Sequence, residues 1–437
     1  MQHLALIAIL IQTMVVLSVF DFWIWASNQT YTGKEKESDS DSLVYPRTIM
    51  LNPLSLVNAQ KDFQSGNNIQ LRVDIKDLIS EADSFLDKNA TSVTDKKQLP
   101  PSGDKHDFLS LAPFRWPDPT KKNGLPYIAL DSSINPEIYS ISDKKNMDDM
   151  THMVTILSAA YYFTNDSKYA SKAEEILRVW FLDKSTKMDP HLRYAEMVRG
   201  KTNSYAGGIM AGRNLTDIID SIGLIQHSPV WTSEDKAGMA LWFTKYLNWL
   251  LNSTSGRLES QKMNNHGTYY YLQVAHIALF LNKTSIARSI FDSFVQHPNI
   301  STFIVPELSI RNKIQPDGRQ LFELQRSKAL AYSMFNLLGI YKLANVAENV
   351  GVDIWNYKVG EDPLLQKALD FLLPYIMKED VWPYSQATKI NRDIALDLLC
   401  HASVHYPQRI ELYSQALSSL GANTSFIDID NLQPCVP

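Results

Sequence analysis

The sequence predicts an all-α domain, and three observations support that fold class. Apolar residues recur at helical spacing along most of the 437-residue chain, and alternating strand patterns are scarce. No repeat of about 30–45 residues, which would indicate a solenoid, stands out. Hydrophobic residues make up 45% and charged residues 20% of the sequence, the balance of an ordinary globular protein. We therefore expect helices paired as antiparallel hairpins and joined by loops.

Eleven segments show the helical pattern of apolar residues. In one of them Leu241, Tyr246 and Leu250 recur at helical spacing. That segment begins at Thr232 and continues with two acidic residues, a pattern typical of a capped helix start. The predicted helices cover residues 73–88, 148–163, 168–182, 208–225, 232–252, 266–281, 283–295, 327–349, 361–378, 391–404 and 407–420.

The start of the chain predicts entry into the secretory pathway. Leu4 to Ala26 is an almost unbroken apolar run that is long enough to span a bilayer. Its position predicts a signal peptide over 1–26, with a retained signal-anchor as the alternative. Residues 27–45 are polar and predict a linker, and 46–437 form the folded domain. The protein is then secreted, or held at a membrane if the first segment is retained.

Asparagine and cysteine usage fits an extracellular protein. Eight Asn-x-Ser/Thr sequons follow or adjoin the apolar run, and they predict N-linked glycans at surface positions. The two cysteines, Cys400 and Cys435, are expected to form one disulfide in an oxidising compartment, with two unpaired thiols as the alternative. Their separation gives no zinc signature. The sequons are Asn28, Asn89, Asn165, Asn214, Asn252, Asn282, Asn299 and Asn423.

Charge and aromatic content narrow the class of partner. The formal net charge is −5, with 42 Lys+Arg scattered among 47 Asp+Glu, so a nucleic-acid-binding protein is excluded. No obligate protein partner is evident. Twenty Tyr and nine Trp suit carbohydrate binding, because aromatic faces stack on sugar rings, although most of these rings are expected to fill the core.

Two long loops and two polar clusters interrupt the helical pattern. The loops cover 100–147 and 298–325, and long structured loops in a helical domain are often functional. Asn265 and His266 open a predicted helix, where tandem asparagines are by default a capping feature. Arg326 and Tyr332 are six residues apart, about 240° around a helix. They can converge only if Arg326 precedes the regular helix.

Three segments resemble the alginate lyase family of polysaccharide lyases. They are LSLAPFRWPDPTKKNGLPY with INPE (109–127 and 134–137), NNHGTYY (264–270) and PDGRQLFELQRSKALAYSMFNL (316–337). Their order and spacing fit the family across about residues 70–405. The resemblance implies an (α/α) toroid and β-elimination of an acidic, uronate-containing polysaccharide of the polymannuronate or polyglucuronate type.

The resemblance also implies roles for individual residues. Asn265 and Arg326 would hold the substrate carboxylate, and His266 would assist them or act as base. Tyr332 would move the proton as both base and acid, with its pKa depressed by Arg326 and an imidazolium. Trp116, Tyr127 and Arg319 are the candidate substrate-binding residues. No metal or other cofactor is required.

Two other classes of function stay open at this stage. A toroidal glycosidase would need two carboxylates that flank the scissile bond, and Asp118, Asp317 and Glu323 are the candidates. An inactive carbohydrate-binding protein is the second alternative, although the presence of all four candidate catalytic residues argues against it.

Overall fold

Helices dominate the computed structural model, which describes residues 45–66, 68–201, 206–295, 308–387, 389–421, 427–428 and 433–434. Over these residues the α-helices are α1 (Pro53–Ser65), α2 (Ile69–Phe85), α3 (Asp143–Thr164), α4 (Ser167–Leu177), α5 (Leu215–Ile225), α6 (Ser233–Asn252), α7 (Thr254–Ser260), α8 (Asn265–Phe280), α9 (Thr284–Val295), α10 (Ile310–Lys313), α11 (Leu321–Leu324), α12 (Ala329–Glu348), α13 (Leu364–Ile376), α14 (Arg392–His405) and α15 (Ile410–Ser419). The strands are β1 (Leu109–Leu111), β2 (Arg115–Trp116), β3 (Ile128–Ala129), β4 (Tyr194–Met197), β5 (Ile427–Asp428) and β6 (Gln433–Pro434).

The all-α prediction is confirmed, and most helix boundaries differ from the predicted ones by a few residues. At the start of α6, Thr232 accepts a hydrogen bond from the Asp235 amide while Asp235 accepts one from the Thr232 amide, which is a capping box. Tyr246 and Leu250 are buried as expected, whereas Leu241 is 57% exposed, so the apolar face is narrower than predicted.

Several elements depart from the expected pattern. The helix α1 was not predicted, although Asn52 caps it and Pro53 occupies its first position, both common at helix starts. The segment expected at 168–182 ends as a π-helical turn over Arg178–Leu182. The segment expected at 208–225 begins as a 3-10 helix over Ala206–Gly212 before α5 starts.

Helices α8 and α12 pack against each other at the centre of the core. Almost every residue of α8 is buried, which explains why its sequence has little amphipathic character. The approach is close at Gly339, where a Cβ atom would lie 3.0 Å from side-chain atoms of Thr268 and Tyr269. The ring of Tyr269 stacks on Phe335 with 4.4 Å between ring centres. This contact fixes the starts of α8 and α12, where the candidate site residues lie.

The strands are short and occur in pairs. β1 and β4 pair in parallel, and β2 and β3 pair as an antiparallel hairpin inside the first long loop. The second pair aligns Arg115 with Ala129 and Trp116 with Ile128. The first long loop is therefore an ordered structure.

Residues Tyr45–Pro437 form one compact unit. None of the helices in the described ranges is long and apolar enough to cross a membrane. Residues 1–26 lie outside those ranges, so the signal peptide and the signal-anchor both remain predictions.

The five sequons in the described ranges lie at or near the surface. Asn89, Asn165 and Asn252 are exposed, whereas Asn214 and Asn282 are half-buried. Asn282 also accepts a hydrogen bond from Arg47. The remaining predicted sites, Asn28, Asn299 and Asn423, lie outside the described residues.

We expect Cys400 and Cys435 to be bonded to each other. Cys400 is buried on α14, whereas Cys435 lies outside the described residues, so the pairing stays a prediction. The bond would close a loop and so lower the conformational entropy of the unfolded chain. This effect would stabilise the folded protein by about 3 kcal/mol. Peptide mapping of the secreted protein without reductant tests the prediction. Two alkylatable thiols in the native protein would refute it.

Candidate active site

The side chain of Asn265 is held at the start of α8 by a buried carboxylate. Its amide Nδ2 donates to both oxygens of Glu323, at 3.1 and 3.0 Å, and its backbone N–H donates to the same carboxylate at 2.6 Å. Asn264 caps the helix by accepting from the His266 amide. Lys313 is also buried, and its charge acts on Glu323. Glu323 therefore orients Asn265, which explains why a carboxylate is present in the middle of the site.

His266 forms an ion pair with Glu259, a residue that sequence reasoning missed. The imidazole Nδ1 lies 2.6 Å from Oε1 of Glu259, whose side chain is fully buried on α7, while a quarter of the His266 side chain stays exposed. Burial lowers the pKa of His266, but the hydrogen bond and charge of Glu259 outweigh this effect, so the pKa is raised overall. The imidazolium form of His266 is therefore more stable than in a free histidine, and its Nε2 is left to contact a ligand.

Arg326 and Tyr332 converge, as predicted. The helix α12 begins at Ala329, so Arg326 precedes the regular helix. The direction of its side chain is therefore not set by the helical spacing of residues. Its guanidinium carbon lies 4.1 Å from the centre of the Tyr332 ring. The aromatic face and the cation attract each other, and this contact fixes the position of both groups.

Asp131 in the first long loop binds Arg326 and the residue that follows it, Ser327. Its carboxylate accepts from Nε and Nη2 of Arg326 at 3.3 and 3.0 Å, and from the hydroxyl of Ser327 at 2.9 Å. The next residue, Ser132, contacts the Ser327 hydroxyl and hydrogen-bonds Tyr332. Burial raises the pKa of Asp131, but its bonds to Arg326 and Ser327 lower the pKa to about 2. The loop is thus attached to the candidate catalytic residues by an ionised carboxylate.

The expected depression of the Tyr332 pKa is wrong for the unliganded protein. Burial raises the pKa of Tyr332 more than the charge of Arg326 lowers it, and the Asp131 carboxylate raises it further. Burial of a loop-covered tyrosine depends on tertiary structure, so the sequence alone did not reveal it. The phenol is therefore mostly protonated before substrate binds.

Trp116 and Tyr127 lie on the loop that covers the site. Trp116 donates from its indole N–H to the Ser133 carbonyl at 2.9 Å, next to the residues that contact Arg326. The Tyr127 hydroxyl donates to Glu137, which also pairs with Arg199. Tyr127 thus has its hydroxyl engaged, and its ring is the part that remains for stacking.

Arg319 is not connected to the central cluster by any contact among the described residues. Its guanidinium pairs with Asp317 at 2.7 Å and also hydrogen-bonds Tyr384, which raises its pKa. The Pro-Asp-Gly turn places it before α11, where its side chain is 44% exposed although both neighbouring residues are buried. A contact with substrate at Arg319 would therefore be outside the catalytic centre.

The carboxylates considered for a glycosidase are each engaged in structural contacts. Asp118 accepts from the backbone and hydroxyl of Thr120, Asp317 pairs with Arg319, and Glu323 holds Asn265. This arrangement leaves no pair of these three carboxylates to flank a glycosidic bond.

One group within the described ranges has the ligand types and spacing for a metal ion. The group consists of Asp107, Asp189 and His191, and each residue offers one ligand atom. These three atoms lie within 4.8 Å of one another. Asp107 already accepts from His191 and from Ser102, so its oxygens have protein partners. The group shares no residue with the Asn265 and Arg326 cluster.

A family model described as alginate lyase matches residues 92–382, well over half of the chain. The chain belongs to the alginate lyase family. It is 32% identical to an alginate lyase from Bacteroides ovatus, with a TM-score of 0.77 and coverage of 88% of this chain and 97% of that chain. Alginate lyase A1-III from Sphingomonas species A1 is 14% identical, with a TM-score of 0.46 and coverage of 75% and 87%. Comparison with curated proteins gives no match.

This alginate lyase family member is a polysaccharide lyase, as the three sequence segments predicted. Its paired helices form the predicted (α/α) toroid. The matched region begins just before the first long loop and ends after α13, so it includes Asn265, His266, Arg326 and Tyr332.

Proposed function

We propose that the enzyme cleaves a uronate-containing polysaccharide by β-elimination. The reaction removes the weakly acidic C5 proton, which is alpha to the sugar carboxylate, and expels the oxygen at C4. Charge then develops on the carboxylate, so the site must offer hydrogen bonds or positive charge to it. The observation that supports this proposal is that Glu323, which holds Asn265, also acts by its charge on His266, Arg326 and Tyr332, so that these four residues belong to one site.

Asn265 and His266 are proposed to neutralise the carboxylate of the reacting sugar. Glu323 fixes the amide of Asn265, and Glu259 stabilises the imidazolium form of His266, so both donors are oriented before substrate binds. Such preorganised donors cost no rearrangement at the moment of reaction. Because His266 is paired and favours the charged state, we assign it to charge neutralisation rather than to proton abstraction.

Tyr332 is proposed to abstract the C5 proton and then donate it to the leaving oxygen. One group can do both when the proton and the leaving group lie on the same face, as they do in mannuronate and glucuronate chains. Arg326 lowers the pKa of Tyr332 from close range, against the effect of burial. The activity of a tyrosine base should accordingly rise as pH increases toward that pKa.

A panel of defined polymers tests the proposed function. Polymannuronate, polyguluronate and polyglucuronate are incubated separately with the enzyme, and ultraviolet absorbance reports the conjugated unsaturated uronate that elimination creates. We expect turnover of polymannuronate or polyglucuronate. New reducing ends without this absorbance would contradict elimination, and the absence of either signal on all three polymers would contradict the proposed substrate class.

We expect Glu259→Gln to shift the pH dependence of the enzyme toward acid. The glutamine can still accept from Nδ1 of His266, but the negative charge that raises the His266 pKa is lost. The imidazolium then disappears at lower pH, and kcat/KM on the alkaline side should fall by about tenfold for each unit of lost pKa. The measurement is kcat/KM against pH.

The matched control for this change is Glu81→Gln. Glu81 forms an exposed pair with His152 at 2.8 Å on the outside of α2 and α3. Its replacement removes the same kind of ion pair and should leave the pH profile unchanged. An unshifted profile in Glu259→Gln would contradict the role assigned to the His266 charge.

A further inference from the structure

Glu196 occupies an irregular position in β4. The paired positions Leu109–Tyr194 and Leu111–Met197 enclose one residue of β1 but two of β4, so β4 has a bulge. Glu196 is one of those two residues, and its φ of 50° lies in the left-handed region. A bulge redirects a side chain, and a left-handed backbone at a residue other than glycine is uncommon.

The bulge is held by a specific contact. The Glu196 backbone N–H donates to the Ser110 hydroxyl at 2.9 Å, and Ser110 is buried in β1. Unfavourable backbone conformations of this kind tend to occur at functional sites, where the surrounding structure maintains them.

The carboxyl group of Glu196 lies among charged groups from four surrounding elements. The charges of four groups act on it, which are His266 on α8, Glu259 on α7, Lys144 on α3 and Arg213 in the turn before α5. None of the described residues forms a hydrogen bond to the Glu196 carboxyl group, although it is only partly exposed. It is thus an acid within the site that no protein contact engages.

The environment of Glu196 keeps a substantial fraction of its neutral form at pH 7. Burial raises the pKa of Glu196 more than the positive groups His266, Lys144 and Arg213 lower it, and Glu259 adds to the increase, giving a pKa of about 7. A protonated carboxyl group in such a site is a hydrogen-bond donor, whereas the ionised form is a fixed negative charge.

We propose that Glu196 is a specificity residue, whose carboxyl group donates a hydrogen bond to a uronate carboxylate bound beside His266. This inference rests on the proposed function, because it assumes that the substrate is a uronan. Once ionised, Glu196 repels the same carboxylate. Glu196 thus makes the binding of an acidic polymer weaken as pH rises above neutral, independently of the proton transfer at Tyr332.

The test compares the pH dependence of KM in the parent enzyme and in Glu196→Gln. Glutamine has nearly the same shape, can donate a hydrogen bond and does not ionise. On the polymer that the parent cleaves, the ratio of parent KM to variant KM should rise by up to about tenfold for each pH unit above neutrality. Because the Glu196 charge also raises the pKa of His266, the imidazole titration is followed by NMR in both proteins and its effect on KM is subtracted.

The control is Glu234→Gln, an exposed carboxylate in the first turn of α6, for which the ratio should stay constant with pH. A constant ratio for Glu196→Gln would overturn the proposal. Loss of kcat at every pH with KM unchanged would also overturn it, because Glu196 would then act in proton transfer. If the parent cleaves no uronan, the proposed function itself fails, and this is seen before any variant is compared.

A second measurement does not depend on folding of the Glu196 variant. Infrared difference spectra of Tyr332→Phe protein, at about pH 6, compare the free protein with a mannuronate or glucuronate tetrasaccharide complex. The tetrasaccharide should shift the carbonyl band of a protonated carboxyl group. Binding without such a shift would overturn the proposal.

Discussion

Replacing Tyr332 with phenylalanine should nearly abolish turnover while leaving substrate binding almost intact. The change removes one hydroxyl from a ring that keeps its packing against Arg326. Loss of a general acid or base commonly costs about 10²–10⁴-fold in rate, and a group that performs both steps should lie at the upper end. Steady-state kinetics on a cleaved uronan, with the melting temperature measured in parallel, determine the effect on kcat and on KM.

Tyr406→Phe is the matched control for the loss of a tyrosine hydroxyl. Tyr406 is buried after α14, and its hydroxyl donates to the Trp355 carbonyl at 2.8 Å. Its removal should cost about 1 kcal/mol of folding stability, the usual net value of a hydrogen bond, without lowering kcat. If Tyr332→Phe instead keeps activity within about threefold of the parent, Tyr332 is a packing residue and the base must be sought at His266.

Replacing Arg326 with alanine should lower kcat and raise KM together. The guanidinium is proposed to stabilise charge in the transition state and to contact the carboxylate of the bound substrate, so both parameters should change. Removal of one such donor typically costs about 10²–10³-fold in kcat. Loss of the cation also raises the Tyr332 pKa, so the alkaline rise in activity should move to higher pH.

Arg311→Ala is the matched control for Arg326→Ala. The Arg311 guanidinium lies over the ring of Tyr357, with 5.7 Å from its carbon to the ring centre, and Nε donates to the Tyr357 hydroxyl. Arg311 is exposed on α10 and its partner Tyr357 is half-buried beyond α12, so removal of this guanidinium should leave kcat and KM unchanged. An Arg326→Ala variant with parental kcat and KM would contradict the assignment of Arg326.

The sequence was sufficient to predict which local segments form the site. The segments 264–270 and 316–337 were identified by their resemblance to the alginate lyase family, since tandem asparagines at a helix start are by default a capping feature. Helical geometry supplied only the condition for Arg326 to meet Tyr332, which is that Arg326 precedes the regular helix, and the helix begins at Ala329. These inferences depend on residues close together in the chain, where spacing has a direct geometric meaning.

The missed residues act across long separations in the chain. Asp131 contacts Arg326 from 195 positions away, and Glu196 is directed into the site by a bulge with no recognisable sequence pattern. Glu259 is only seven residues before His266. However, the sequence around it on α7 is polar, so its burial could not be predicted. The predicted lowering of the Tyr332 pKa was wrong for the same reason, because burial under the first loop depends on tertiary structure.

Mass spectrometry of the cleavage products in water labelled with heavy oxygen tests the central claim most directly. Elimination breaks the C4–oxygen bond without adding water. The account therefore predicts that each new non-reducing end is lighter by one water than a hydrolysis product, and that the products contain no label from bond cleavage. Saturated products with labelled oxygen at the cleaved bond would contradict it.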